Sequence, residues 1–387
     1  PYHLIAQPRA LILGAGGGAD VLRAIYHRAK RIDAVELDAN MVRLIERAHA
    51  EFAGHIYGRP EVHVHVGEAR GFIAGSTGRW DLIDIPLLDA FAASSAGVHG
   101  LSESYVYTVE ALRQYLRRLR PGGMFAITRW LKLPPRDSLK LFSTALEALE
   151  AERAVTPARR LAMVRGWSTT TLLVKNRAFT PGEIATIRAF AKDRSFDLAY
   201  YPGMEREEAN RWNLLDAAYF FDGATALAGS RRDDFIARYK FDIAPASDDR
   251  PYFFDFFKWR TLPELLTLRT RGGAALIEWG YPILLATLVQ AAVLSVILIL
   301  LPLWLRRRGA PAEPERWRVG AYFFCLGLAF LFVEIAFIQR FIVFLGHPLY
   351  AVAVVLAALL VFAGLGSACA PRLDERLAAG RLGSRTG

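Results

Sequence analysis

The stretch that decides the fold of this chain is Ala10-Leu11-Ile12-Leu13-Gly14-Ala15-Gly16-Gly17-Gly18-Ala19-Asp20-Val21-Leu22. A short apolar run broken off by glycines suits a buried parallel strand. From Asp20 to Lys30, apolar Val21, Leu22, Ile25 and Ala29 recur at helical spacing, so a helix follows the glycines directly. A glycine turn between strand and helix lets a ligand approach the backbone and aims the helix N-terminus at it. Glycines alone can mark nothing more than a tight turn. Here Glu36 ends the next strand, Ile32-Asp33-Ala34-Val35-Glu36. That is about 20 residues on, where a carboxylate can accept both ribose hydroxyls of a nucleotide. The competing reading of Glu36 is a solvated acid at a strand end.

Working outward, Met41 to Ala53 reads as a second amphipathic helix and Val62-His63-Val64-His65-Val66 as a third strand. Glu68 follows that strand on the same rim. An acid there either accepts a hydrogen bond from an adenine amino group or sits at the N-cap of a helix, and the two are compatible. Asp81 to Ile85 is a fourth strand. Tyr105 to Leu119 reads as a helix stopped at Pro121-Gly122-Gly123, and Met124 to Ile127 as the next strand. Leu161 to Arg165 and Thr170 to Lys175 form a closing antiparallel hairpin. This alternation implies an α/β fold, a Rossmann-like doubly wound sheet, over residues 1–180. Residues 181–275, with a helix from Gly182 to Lys192 and an aromatic-rich end at Asp248-Asp249-Arg250-Pro251-Tyr252-Phe253-Phe254, read as a cap or junction.

The 387 residues are 53% hydrophobic, and the apolar excess is concentrated after Gly280. Segments at about 282–305, 319–338 and 350–370 each match, at ~1.5 Å per residue, a hydrocarbon core roughly 30 Å thick. Residues 276–372 are therefore expected to form transmembrane helices and 373–387 a polar tail. The formal net charge is +10. Many of the arginines flank the apolar segments, among them Arg306, Arg307, Arg308, Arg316 and Arg318, together with Trp279, Trp304 and Trp317. That pattern anchors helices in a lipid bilayer and argues against a nucleic-acid partner. Glu334, Gln339 and Arg340 interrupt apolar sequence, and intramembrane ionisable groups usually face a bundle interior or polar path. The only cysteines, Cys325 and Cys369, lie in apolar runs, so neither disulfides nor a zinc site is expected. His63 and His65 share one strand face without a third ligand, so no metal is expected. The chain opens at Pro1, a few residues before its first motif, and reads as a fragment of a longer protein.

Several motifs together carry a resemblance: Gly14 to Gly18 with Val21-Leu22-Arg23; Val35-Glu36-Leu37-Asp38; Gly67-Glu68-Ala69; Leu101-Ser102-Glu103-Ser104-Tyr105-Val106-Tyr107; and Leu119-Arg120-Pro121-Gly122-Gly123. The run from Leu11 to Trp130 resembles class I methyltransferase-fold proteins and, within them, the spermidine synthases. Asp89-Ala90-Phe91-Ala92-Ala93-Ser94-Ser95-Ala96-Gly97 and Glu334-Ile335-Ala336-Phe337-Ile338-Gln339-Arg340-Phe341 resemble bacterial polytopic membrane proteins that carry a spermidine synthase-like domain.

The resemblance implies a donor, S-adenosylmethionine or its decarboxylated form, held by Gly14, Ala15, Gly16, Gly18, Asp20, Glu36, Leu37, Asp38, Glu68 and Ala69. It implies aminopropyl transfer to a polyamine, or methyl transfer. The polyamine enzymes carry two aspartates, with two residues between them, where the fourth strand ends. Asp89 matches the second and is the candidate catalytic acid, with a loop acid capping the next helix as its alternative; Pro86 stands at the first. The family's glycine motif also has an aspartate where this chain has Gly17. A ligand-sensing or transport protein with a non-catalytic synthase domain is the reading from another class. The resemblance also implies a bacterial inner membrane location with several spans. By the positive-inside rule the Arg306 to Arg318 loop is cytoplasmic. A donor made in the cytosol instead puts the nucleotide domain on that side, and the latter is the expectation retained. The acceptor and the oligomeric state are not indicated.

Overall fold

In a computed structural model of the chain, residues 1–88, 103–261, 280–302, 316–345 and 348–383 are described. They divide into two compact units, Pro1–Leu294 and Ser295–Gly387.

The first unit is built on one sheet. The apolar run at the start of the chain is strand β1 (Arg9–Leu13). It lies between β2 (Arg31–Glu36) and β4 (Trp80–Ile85), parallel to both. Strand β3 (Val62–Val66) adds to β2 and β5 (Leu119–Trp130) to β4, again in parallel. Strands β6 (Leu161–Arg165) and β7 (Thr169–Lys175) make the expected hairpin, with β7 antiparallel to β5. The order is β3-β2-β1-β4-β5-β7-β6-β8. The last strand, β8 (Asp197–Tyr200), comes from the stretch expected as a cap or junction and pairs antiparallel with β6.

Successive side chains of a strand point to opposite faces, and here both faces are buried. Leu11 and Leu13 belong to one apolar cluster with Ile83, Ile85, Phe125 and Ile127. Ala10 and Ile12 belong to another with Ile32, Ala34, Leu82 and Met124. That explains the unbroken apolar run Ala10–Leu13 of β1, since a strand covered on both sides needs no polar alternation. From β1 the chain builds outward through β2 and β3 on one side, and through β4 and β5 on the other. The crevice at such a reversal, beyond the carboxyl ends of the strands, is where open α/β sheets bind ligands.

Helix α1 (Ala19–Tyr26) follows the glycines. The helix expected from Met41 to Ala53 is shorter, with α2 (Ala39–Arg43) passing into a wider π-helical turn at Leu44–Ala48. The helix expected from Tyr105 starts later. Tyr105–Tyr107 is a single 3-10 turn, and Thr108 then caps α4 (Val109–Arg118) by accepting from the Ala111 amide. Strand β5 already begins at Leu119 and absorbs Pro121-Gly122-Gly123 as an irregular start, with a register shift against β4 between Trp80 and Leu82. Gly122 has φ +82°, and its amide donates to Asn176 Oδ1 at 3.0 Å. These glycines therefore bend a strand rather than end a helix.

Helix α5 (Asp137–Ala151) covers one sheet face. Helix α6 (Pro181–Asp193) opens with a capping box between Thr180 and Glu183. Among the apolar segments, α7 (Arg316–Leu345) and α8 (Pro348–Gly383) contain two stretches long and apolar enough to cross a membrane, Trp317–Phe341 and Tyr350–Ala370. In the region expected to span from 282 to 305, the described residues form a shorter apolar helix, Leu285–Ile299. The stretch from 373, expected as a tail, continues α8 to Gly383.

Candidate functional site

Beyond the ends of β1, β2 and β3 the backbone folds into a connected rim. The amides of Gly14 and Ala15 both donate to the Val35 carbonyl, at 2.8 and 3.0 Å, which fastens the glycine turn to β2. Gly14, Gly16 and Gly18 have φ of +85°, +50° and +87°. That is the left-handed region, which costs a side chain roughly 1–2 kcal/mol. At Gly16 and Gly17 a Cβ would meet nothing, so this part of the turn fronts open space. At Gly14 it would collide with Leu88, beyond the end of β4, and at Gly18 with Ile56. The turn is thus open on one side and closely packed on the other.

Glu36 joins the pieces. Its Oε2 accepts the Gly16 amide at 2.8 Å, and its Oε1 accepts the Asp38 amide at 3.0 Å. The Glu36 carbonyl takes the Gly67 amide at 2.9 Å, which ties the end of β3 to the end of β2. Each carboxylate oxygen can accept more than one hydrogen bond, so both retain capacity toward a ligand. Leu37 and Asp38 are exposed beside it, and Asp38 Oδ1 caps α2 by accepting the Asn40 amide at 2.8 Å.

Glu68 is the N-cap of α3 (Ala69–Gly75). Its oxygens take the amides of Arg70 at 2.9 Å and Gly71 at 2.6 Å, and the residue remains exposed. The helix-capping reading of Glu68 therefore describes this structure, and its outward lone pairs leave the ligand reading compatible with it. Ala69 is the first residue of that helix.

Asp20 is placed differently. It pairs with Arg23 at 2.7 Å, and Arg23 reaches down to Asp84 of β4 at 2.5 Å. Burial pushes the Asp20 carboxyl above the ordinary carboxylate range, although Arg23 works against this. Asp20 therefore belongs to a charge cluster under α1, and no hydrogen bond joins it to the Gly16–Glu36 contact. Asp84 is buried within that cluster. Pro86 is buried where β4 ends, and Leu87 and Leu88 follow it. Asp89, the candidate catalytic acid, lies outside the described residues.

Of the two strand histidines, His65 Nε2 meets Asp33 Oδ1 at 3.1 Å, and its ring packs on Phe72 with centroids 4.7 Å apart. It belongs to a packed strand face. A hollow of about 470 Å³ beside it, lined by Arg9, Arg31, Asp33 and Trp80, opens at the opposite ends of the strands from the glycines.

Some members of the rim carry no local signal. The Tyr57 hydroxyl donates to the Gly16 carbonyl at 2.6 Å, returning over 41 residues to clamp the turn. Burial pushes the Tyr57 hydroxyl up to about 12, with the Glu36 charge adding to the effect, so it remains a donor. Arg70, whose amide Glu68 accepts, pairs through its side chain with Asp248. Only the general rule that a buried polar tip finds a partner could have suggested Tyr57.

No family model matches the chain. Several curated proteins are similar to part of it. Polyamine aminopropyltransferase 2 of Hyperthermus butylicus is 25% identical over 116 residues, which is 30% of this chain and 36% of that protein. Polyamine aminopropyltransferase of Nitrosomonas europaea is 24% identical over 123 residues, 31% of this chain and 35% of that protein. The chain thus matches little more than a third of the length of either relative. Among solved structures, spermidine synthase from Thermotoga maritima is 14% identical with a TM-score of 0.35, covering 47% of this chain and 59% of that one. Human methyltransferase-like protein 13, in complex with SAH, is 20% identical with a TM-score of 0.34, covering 53% and 90%.

Proposed function

We propose that this chain is a membrane-anchored transferase that binds an adenosyl-sulfonium donor at the rim beyond β1, β2 and β3. The observation that carries the proposal is the double engagement of Glu36. A carboxylate at the end of β2, held by the Gly16 and Asp38 amides, stands beside an open glycine turn that follows β1, the strand from which the order runs both ways. In this reading Glu36 takes the ribose hydroxyls and Leu37 lies against the base. Glu68 and Ala69 meet the purine edge, and Gly14 to Gly18, with Ala15, give the donor's tail a close backbone approach. The similarity to two polyamine aminopropyltransferases supports a transferase with decarboxylated S-adenosylmethionine as donor and a polyamine as acceptor.

The chemistry is an in-line displacement. The acceptor nitrogen forms a bond to the carbon next to sulfur, the carbon–sulfur bond breaks, and its electron pair returns to sulfur. Methylthioadenosine leaves as a neutral thioether. Alignment supplies much of the rate, and the amine must surrender a proton to a base. Asp89 is the residue we assign to that task. Methyl transfer from S-adenosylmethionine is the second reading. Pro86 favours it, because a prolyl ring stands where the related polyamine enzymes keep a first aspartate.

Calorimetric titration of the full chain in detergent with S-adenosylmethionine, its decarboxylated form and methylthioadenosine tests the proposal. Micromolar binding of at least one is expected, and binding of none overturns it. Binding without turnover of putrescine removes aminopropyl transfer to that acceptor. An Asp89→Asn variant with full activity removes Asp89 from the chemistry.

A further inference from the structure

Asp248 lies beyond the last strand, 178 residues after Arg70, yet the two side chains meet as a fork on a fork. Arg70 Nη1 donates to Asp248 Oδ1 at 2.6 Å, and Nη2 pairs with Oδ2. The Thr108 hydroxyl donates to the same Oδ1 at 2.7 Å, and the Asp248 amide donates to Glu110 Oε2 at 2.9 Å. Neighbouring backbone contacts reinforce the seam, with the Val109 amide on the Ala246 carbonyl at 2.8 Å and the Ser104 amide on the Pro251 carbonyl at 2.7 Å. Residues 246–251 thus form a strap across the start of α4. The hydrogen bond from Arg70 holds the Asp248 carboxyl below its usual range despite partial burial.

What the strap grips is the first turn of α3. Arg70 is its second residue, and Glu68, whose two oxygens are oriented by the amides of Arg70 and Gly71, is its N-cap. Tyr105 flanks the same corner, with its ring 5.8 Å from the Arg70 guanidinium. The direction of the Glu68 carboxylate therefore depends on α3, which Arg70 holds against Tyr105 and Thr108 both directly, with long contacts of 3.4 Å to the Tyr105 carbonyl and the Thr108 hydroxyl, and through the shorter bridge of Asp248.

We propose that Asp248, acting through Arg70, is a positioning residue that sets the selectivity of the rim for an adenine amino group at Glu68. This rests on the reading of the rim as an adenosyl site. A carboxylate accepts from the amino group of adenine but opposes the carbonyl that replaces it in hypoxanthine. A site built to hydrogen-bond one group discriminates strongly against an analogue lacking it. That discrimination requires the acceptor to be held within about 0.5 Å of its proper place.

The test compares methylthioadenosine with methylthioinosine, titrated calorimetrically against the full chain in detergent. The native chain should prefer the adenine compound by about 10-fold or more. Asp248→Asn should shrink that ratio about five-fold or more by weakening methylthioadenosine alone, and Asp248→Glu should restore part of it. If Asp248→Asn does not fold, Arg70→Lys, which keeps the charge and loses the fork, should lower the ratio in the same way. Equal weakening of both compounds, with the ratio unchanged, would mean a merely structural strap and overturns the proposal. Equal affinity of the native chain for both compounds also overturns it. Failure of the native chain to bind either one overturns the adenosyl reading itself, and is distinguished by appearing before any substitution is made.

Discussion

Gly18 combines a φ of +87° with a Cβ position already occupied by Ile56. Gly18→Ala must therefore accept left-handed strain and push Ile56 aside, which together should cost about 2 kcal/mol or more. We expect a lower melting temperature and at least ten-fold weaker binding of methylthioadenosine, whereas Gly17→Ala, facing open space, should disturb packing far less. Asp33 supplies a second test. It is buried, and burial opposes its ionisation, but hydrogen bonds from Arg31, Trp80 and His65, together with the Arg31 charge, prevail and hold it to about 2. A carboxyl depressed in the folded state contributes stability above its unfolded value near 3.8, and that contribution is lost as pH falls toward 2. The loss is about 2 kcal/mol. Acid unfolding followed by circular dichroism should show it between pH 4 and 2, and Asp33→Asn should flatten that part of the curve. The glycines and Glu36 were legible because their roles follow from local backbone geometry and a fixed strand-to-strand spacing. Tyr57 was not, because its contact with Gly16 is made only once the chain has folded back.

The elements were legible where one period dominated. Strands β1, β4 and the β6–β7 hairpin stand close to where apolar runs and turn residues put them. Pro121-Gly122-Gly123 misled because the same residues that end helices also make bulged strand starts, and only pairing with β4 decides between them. The helix at Met41 was overextended because its apolar spacing persists past the point where the backbone widens into a π turn. Asp84 could be assigned to a strand, but its partner Arg23 on α1 follows from the packing of helix on sheet. That pair fastens the helix whose N-terminus carries the glycine turn. Asp84→Asn should cost about 1–3 kcal/mol, less than for a fully buried pair, since water reaches the Arg23 side chain. Thermal melting measures this, and weaker nucleoside binding should accompany it as α1 loosens.

At the scale of the whole molecule, hydropathy concentrates the apolar excess after Gly280, whereas the two compact units divide between Leu294 and Ser295, inside the apolar helix Leu285–Ile299. The role of β8 in the sheet was not legible, since four residues carry too little pattern to be told from a loop. Among the described residues, two helices have the length and apolarity to span a bilayer. The chain should accordingly remain with membranes through extraction at alkaline pH, and its release into the soluble fraction would remove the anchoring reading.

The strap that ends at Pro251 also sets a schedule. A ribosome adds roughly 5–20 residues per second, and Asp248 follows Thr108 by 140 residues. Roughly 7–28 s of translation therefore separates the two. Through that interval the residues of α3 and α4 lack the clasp that joins them in the folded chain, and the apolar segments are made soon after it. Closure of the corner at Glu68 and synthesis of the apolar segments thus fall close together in the life of each new molecule.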